Sequence, residues 1–533
     1  MATHTLAVVL RSSTAGPQFL LAKQRRPPKF GDEEYDAYVD SDLWDLPSAP
    51  LRPLAGRPGE LHARIGDAAA CSEKVDLGRF DVDSAIVEVL GELGLGFVGL
   101  EVSDVGEWRF FKYVEEAEFG PGLPVNTVFI EGKLISGDCN LPESCKWMSV
   151  GSCLGWLVDV KPSSDRVGPL TVLGLINDSM PQSKFKVPST LIYQEYPPGV
   201  VIVPMGSRTA KPFRTTNLVV FAPASGSDEC GEGSFIMSGD ALIVDPGCRS
   251  QHHEELEKIV AALPRKLIVF VTHHHHDHIE GLSVIQRCNS DATLLAHKNT
   301  ISRIQKDVWS LGSTPVSGAE DIWIGGERLT IIFAPGHTDG HMALLHSSTH
   351  SLIVGDHCLG QGSSILDVDS GGNIIDYFQS TYKFMELSPH ALIPMHGRVN
   401  LWPKHMLCGY LKNRRKREES ILKAIEGGAH TLFDIIANVY SGVDRSFWLI
   451  ASHNVRVHVD HLSQQEKLPK DFSIQKFQRS CKLQFFIRWL WTYFIYLLLV
   501  RCRKLSKSTF IVSGLIAGFA SIYLFKRSSL SNS

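Results

Sequence analysis

The chain has 533 residues, 44% apolar and 21% charged, which excludes a mainly disordered protein. That length also excludes one ordinary core and predicts two or three domains. The formal charge of −4 hides an uneven split: from Phe472 onward there are ten Lys/Arg and no Asp/Glu, leaving the first 471 residues at −14. An acidic body with a basic tail argues against nucleic-acid binding by bulk charge.

Eleven cysteines lie scattered without a Cys-x-x-Cys pair. The start, "MATHTLAVVLRSS", lacks a basic stretch followed by a long apolar run, so no secretory signal is expected. Reduced thiols in a cytosol-facing protein follow.

Residues 1–195 read as an α+β domain. "HTLAVVL" and "QFLLAKQ" predict two strands around the turn "RSSTAGP". "SDLWDLPSAPL" follows. In "DVDSAIVEVLGELGL", Ile86, Val89, Leu90 and Leu93 share one helical face. Strands, "WDLP" and this helix resemble a Nudix domain, whose helix holds Mg²⁺ against a diphosphate through several glutamates. Only Glu88 and Glu92 match that run. Val87, Gly91 and Arg79 stand where the motif has an arginine and two further glutamates. The expectation is a Nudix-like scaffold without Nudix catalysis.

Residues 196–400 alternate short apolar runs with Gly, Pro and Asp turns: "GVVIVPM", "TNLVVFA", "FIMSG", "ALIVDPG", "KLIVFVTH", "TLLAH", "LTIIFAPGH", "SLIVGDH" and "HALIPMHG". These predict buried strands, with helices at "HHEELEKIVAAL" and "EGLSVIQRC". A layered α/β domain with its site on strand-end loops follows. Residues 401–470 predict a long polar helix, "KHMLCGYLKNRRKREESILKAIEGG". Two further helices and a small hairpin complete a winged-helix-like module.

The tail, residues 483–527, holds two apolar runs, Phe485–Val500 and Thr509–Phe525. At 1.5 Å per residue each would span about 25 Å, just short of a ~30 Å hydrocarbon core. Basic flanks and the cluster Trp489, Trp491 and Tyr493 predict membrane association through one or two segments. A buried C-terminal helix is the alternative. The catalytic domains are then expected to face the cytosol. The tail resembles outer-membrane anchors of mitochondria or plastids, with peroxisome and endoplasmic reticulum left open.

"VTHHHHDHIEG", residues 271–281, follows a predicted buried strand. His273 and His275 alternate along an extended chain and point one way. Asp277 and His278 begin the next turn and can face a second point. His274 and His276 receive no metal role. Distant partners stand at other strand ends: His337 in "FAPGHTDGH", Asp356 in "LIVGDH" and His396 in "LIPMHG". Imidazole suits zinc, and an aspartate can bridge two cations.

With "ALIVDPG", these pieces resemble the hydrolase branch of the metallo-β-lactamase fold superfamily, an αββα sandwich. The resemblance implies one Zn²⁺ held by His273, His275 and His337, and another by Asp277, His278 and His396, with Asp356 bridging. Asp245 would orient a histidine from outside the ligand set. His341 would support the site or touch substrate. Cys358 does not occupy the lactamase thiolate position and reads as a small buried thiol.

Two such cations lower the pKa of a bridging water to about 7, so that hydroxide attacks a carbonyl carbon or phosphorus. Asp277 and Asp356 are the catalytic carboxylates of this reading. "NRRKREESIL", "TLFDIIANVY" and "SHNVRVHVDHLSQQEKL" resemble the β-lactamase-like protein 2 family, whose animal members cleave single-stranded RNA. An RNA endonuclease is therefore expected, with "KNRRKRE" offered to phosphates. The alternatives are a thioester or other acyl hydrolase of the glyoxalase II type, and a membrane-anchored nucleotide-binding protein. Glyoxalase II begins its motif "THxHxDHxGG", where this chain has Glu280-Gly281.

Overall fold

The computed structural model describes residues 2–12, 17–54, 74–93, 105, 108–134, 142–158, 160–180, 183–224 and 235–502. The predicted turn at 13–16 and the apolar run Thr509–Phe525 lie outside the described residues. The chain forms two compact units, residues 1–364 with 376–411, and 365–375 with 412–533.

In the first unit the N-terminal residues build an eight-stranded mixed sheet. Thr3–Arg11 runs antiparallel to Gln18–Lys23 and parallel to Val125–Lys133. Alternate residues Leu6, Val8 and Leu10 face the helix Val82–Glu92, which buries Ile86, Val89 and Leu90 against them. Glu88 pairs with Arg52 at 2.9 Å on the surface, and Glu92 is exposed. Both are ordinary solvated charges.

Two further sheets follow. The seven-stranded one runs Ser313–Val316, Thr293–His297, Leu267–Phe270, Ala241–Val244, Thr215–Phe221, Val201–Gly206, Gln194–Glu195. The six-stranded one runs Phe235–Gly239, Asp321–Ile324, Glu327–Phe333, Met342–His346, Ser351–Gly355, Ala391–Pro394. Their inner faces share one core, with Ile202, Val219, Leu242 and Phe270 packed with Ile322, Ile331, Leu344 and Ile393. The outer face of the larger sheet, through Val220, Ile243 and Val269, is covered by Leu256 and Ile259 of His253–Ala261 and Ile285 of Leu282–Cys288. This is the mixed α/β sandwich the apolar runs predict. The parallel strands Ala241–Val244 and Leu267–Phe270, and further on Ser351–Gly355 and Ala391–Pro394, end at one edge and deliver Asp245, the histidine run, Asp356 and His396 there.

In the second unit, Leu432–Val439, Trp448–Gln464 and Ile474–Ser480 pack around Ile435, Ile436, Val455, Val459 and Phe477. The small hairpin expected here is absent: residues 401–470 hold helices and turns but no strand. The apolar run Phe485–Val500 falls in a helix, Leu483–Cys502, that seats Phe485 and Trp489 in this same core. Trp489, expected at a membrane interface, is 9% exposed and donates its indole N–H to Arg445 O at 2.7 Å. Among the described residues no helix is long and apolar enough to cross a membrane. The sequence counts apolar residues but does not say which of them find protein partners.

Candidate metal centre

After Phe270 the chain leaves its strand, and the helix His276–Ile279 starts within the histidine run. That change from extended to helical backbone sorts the side chains. His273 is buried and His275 half-buried, with His273 Nε2 3.0 Å from His275 Nδ1. His337 Nε2 lies 3.2 Å from the former and 3.1 Å from the latter. Nitrogens holding one tetrahedral zinc at 2.0–2.1 Å stand about 3.3 Å apart, close to this triangle. His276 turns outward, its side chain 62% exposed beside Glu280. His274 stays outside the triangle.

A second cluster sits alongside. His396 Nε2 is 3.3 Å from Asp277 Oδ2, and His278 Nε2 is 3.8 Å from Asp277 Oδ1. Asp356 lies between the clusters. Its Oδ1 is 3.5 Å from His278 Nε2 and 3.4 Å from His396 Nε2, while Oδ2 is 3.9 Å from His337 Nε2. One carboxylate thus faces both groups with different oxygens.

The surroundings set which nitrogen each ring presents. Asp245, fully buried, accepts from Thr272 N–H at 2.7 Å, from the Thr272 hydroxyl at 2.6 Å and from His278 Nδ1–H at 2.9 Å. With the Thr272 proton given to Asp245, its oxygen accepts from His273 Nδ1–H at 3.0 Å. His396 Nδ1–H donates to Thr215 O at 2.8 Å. All three rings are left with Nε2 directed at the clusters. His341 lies behind Asp356: Nδ1–H donates to Ala334 O at 3.1 Å, and Nε2 accepts the Asp356 backbone N–H at 3.1 Å. Burial and the nearby His357 push its pKa down to about 3, so it stays neutral and positions the Asp356 backbone.

Burial opposes charge on His278 and His396, but Asp356 and Asp277 outweigh it. His278 is held well above the ordinary histidine value and His396 at about 10. His273, buried among imidazoles rather than carboxylates, is pushed well below it. The protons that these carboxylates retain on two imidazoles are what a divalent cation displaces when it binds. His278 Nε2 and Asp356 Oδ1 are both buried without a hydrogen-bond partner. Buried polar atoms are rarely left so, and the donor set of imidazole and carboxylate suits borderline divalent cations. The residues therefore fit divalent metal binding.

Gly247 shows how tightly the loops meet. A Cβ there would stand 1.5 Å from Asp277 O, so "DPG" must end in glycine for the turn carrying Asp277 and His278 to close. The Asp277 carbonyl also accepts from Thr216 Oγ1 at 2.8 Å. Thr272, Thr215, Thr216 and Gly247 were not singled out from sequence. A threonine directly before the first histidine was the one available signal. Thr209, whose hydroxyl lies 3.3 Å from His396 Nε2, left none. Cys358 is fully buried. Part of the "KNRRKRE" run packs within its own module, while Asn413 and Lys416 are exposed. Arg414 is 3% exposed and bonds Asn454 at 2.8 Å, Arg417 lies over the Tyr440 ring, and Glu418 accepts from His458 and His461.

Residues 234–396 match the family model described as the metallo-beta-lactamase superfamily, and residues 431–472 the beta-lactamase associated winged helix domain. All seven candidate ligands fall within the first match. With the homologues that follow, this makes the protein a metal-dependent hydrolase, similar to the metallo-beta-lactamase superfamily over residues 234–396. A beta-lactamase-like protein 2 homolog of Drosophila melanogaster is 26% identical over 219 residues, covering 38% of this chain and 69% of that one. The Caenorhabditis elegans homolog is 28% identical over 235 residues, 43% of this chain and 77% of its own. A hydroxyacylglutathione hydrolase of Gloeobacter violaceus is 27% identical over 165 residues, 31% of this chain and 58% of its own. Among solved structures, a beta-lactamase domain protein from Burkholderia ambifaria shares 18% identity at a TM-score of 0.43, covering 55% of this chain and 95% of that one.

Proposed function

We propose that this chain is a dinuclear zinc hydrolase acting on phosphodiester bonds, with single-stranded RNA as substrate. His273, His275 and His337 would hold one Zn²⁺, and Asp277, His278 and His396 the other, with Asp356 shared. The observation that carries the reading is Asp356, which turns one oxygen to each ligand group. When bound, two such ions supply a water that ionises near neutral pH and positive charge for the developing oxyanion.

The chain's own residues supply the rest. Asp277, its side chain 16% exposed, can accept a hydrogen bond from the attacking water at a carboxylate oxygen and orient it. Asp245 and Thr215 hold His278 and His396 in the tautomers that leave Nε2 free. His341 keeps the Asp356 backbone in place, so the shared carboxylate does not swing to one side.

RNA as substrate rests on likeness to the beta-lactamase-like protein 2 family and on the winged-helix match beyond the catalytic domain. Thioester hydrolysis is the second reading, favoured by the likeness to a hydroxyacylglutathione hydrolase. The N-terminal domain is proposed to be Nudix-like without Nudix catalysis, since Glu88 is engaged by Arg52. Purified protein would be given single-stranded RNA and, separately, an acyl-glutathione, with the Asp356→Ala, His278→Ala double variant as control. RNA cleavage lost in the variant supports the first reading. Thioester turnover without RNA cleavage replaces it with the second.

A further inference from the structure

We propose that the outward face of the helix Leu483–Cys502 is a docking surface for an anionic lipid bilayer, on which the helix lies along the membrane plane. The two sides of this helix differ sharply. On the inner side Phe485 and Trp489 are buried with Leu432, Ile436 and Trp448. The Arg445 guanidinium donates to Thr492 O at 2.9 Å, and Arg488 pairs with Asp434 at 3.0 Å while lying over the Phe433 ring. The helix is thereby fastened to its module along its length.

On the outer side stand Leu483, Phe486, Ile487, Leu490, Phe494 and Leu497, from 70% exposed at Leu483 to 40% at Leu497. At about 100° per residue all six fall within roughly 100° of arc, opposite the packed side. A helix facing water carries polar residues on that arc; from Leu483 to Leu497 this one carries only aliphatic and aromatic side chains there, and Arg501 follows in line with them at its end. A continuous apolar stripe of this size marks an interaction surface.

Charge selects the occupant. Lys476, Arg479 and Lys482 are exposed on the approach to the stripe, and no carboxylate occurs anywhere from Phe472 to Ser533. Leu483, Ile487, Leu490, Phe494 and Leu497 also follow the four-three spacing of a two-helix seam. The same helix of a second copy would bring the same positive charges and no carboxylate side chain of its own to meet them. An anionic bilayer satisfies both features, since it takes apolar side chains at the acyl boundary and basic ones among its headgroups. Beyond the helix the sequence adds Arg503, Lys504 and Lys507 and then the uncharged run Thr509–Phe525, chemistry of the same kind.

The test uses the full chain with p-benzoylphenylalanine in place of Phe486 or Phe494, and in place of Thr492 on the packed side. Each protein is irradiated with vesicles of phosphatidylcholine containing about 30 mol% phosphatidylserine, and with phosphatidylcholine alone. Adducts to lipid are expected at 486 and 494, at least about tenfold fewer without the anionic lipid, and none at 492. An unchanged unfolding temperature shows that each variant keeps its fold. Chain-to-chain adducts would assign the stripe to a second copy, and adducts to residues 503–533 of the same chain to an internal cover. Either result, or no adduct on anionic vesicles, overturns the proposal even if the remaining tail still brings the protein to the membrane.

Discussion

Replacing Asp245 by Asn tests whether the second ligand group is organised from behind. Asp245 accepts three hydrogen bonds at 2.6–2.9 Å, two from Thr272 and one from His278 Nδ1–H. An amide offers one acceptor oxygen only. Placed toward the Thr272 N–H, that oxygen leaves the NH₂ group facing His278 Nδ1. The imidazole then moves its proton to Nε2, the nitrogen directed at Asp277 and Asp356. Partners of this kind are worth about 10–100-fold in metal affinity, or about 1.4–2.7 kcal/mol. The assay is competition for zinc against a chromophoric chelator, with metal counted per chain. One ion per chain should weaken by that amount, while the ion at His273, His275 and His337 changes less. Hydrolysis should fall in step and recover with added zinc. Two ions held with wild-type affinity would refute the reasoning.

Gly247→Ala puts a methyl group 1.5 Å from Asp277 O, so the loops must part. A loss of at least about 3 kcal/mol in urea unfolding is expected, with reduced zinc content. Arg166, 4% exposed, donates to the carbonyls of His390, Leu401 and Ser41. Arg166→Met removes the charged donor shared by three half-buried carbonyls and should cost about 3 kcal/mol, read by the same method. In the C-terminal module, burial holds His458 down at about 4 from 6.5, so it stays neutral in the folded state while the unfolded chain takes up a proton. Its stability contribution is therefore whole above pH 6.5 and lost as pH falls toward 4, by about 3 kcal/mol. Burial raises Glu418, but its bonds from His458 and His461 outweigh this and hold it low, so its contribution is also lost toward acid. His458→Gln should flatten the 6.5-to-4 loss in thermal melts, and an unchanged slope would contradict the assignment.

The candidate ligands were legible because the sequence encodes them twice. The alternation His273-x-His275 survives into the extended chain, and Asp356 and His396 directly follow apolar runs that become strands. Thr215 and Gly247 were not legible, because their roles depend on which loop lies behind them and neither residue has an unusual neighbour in the chain. The strands Ser313–Val316, Asp321–Ile324 and Met342–His346 escaped for a different reason. The first two are short and broken by polar residues. For the basic run at 412–418 and the apolar run at 485–500, composition does not say which side chains turn inward: Arg414 and Arg417 meet Asn454 and Tyr440, and Trp489 meets Arg445, within the module.

The measurement that bears most directly on the central claim is anomalous diffraction at the zinc edge from crystals of protein purified without chelator. Two peaks are predicted, one among His273, His275 and His337 and one among Asp277, His278 and His396, about 3.5–4 Å apart with Asp356 between them. A single peak with Asp356 turned away, or none at full zinc supplementation, would contradict the two-ion account.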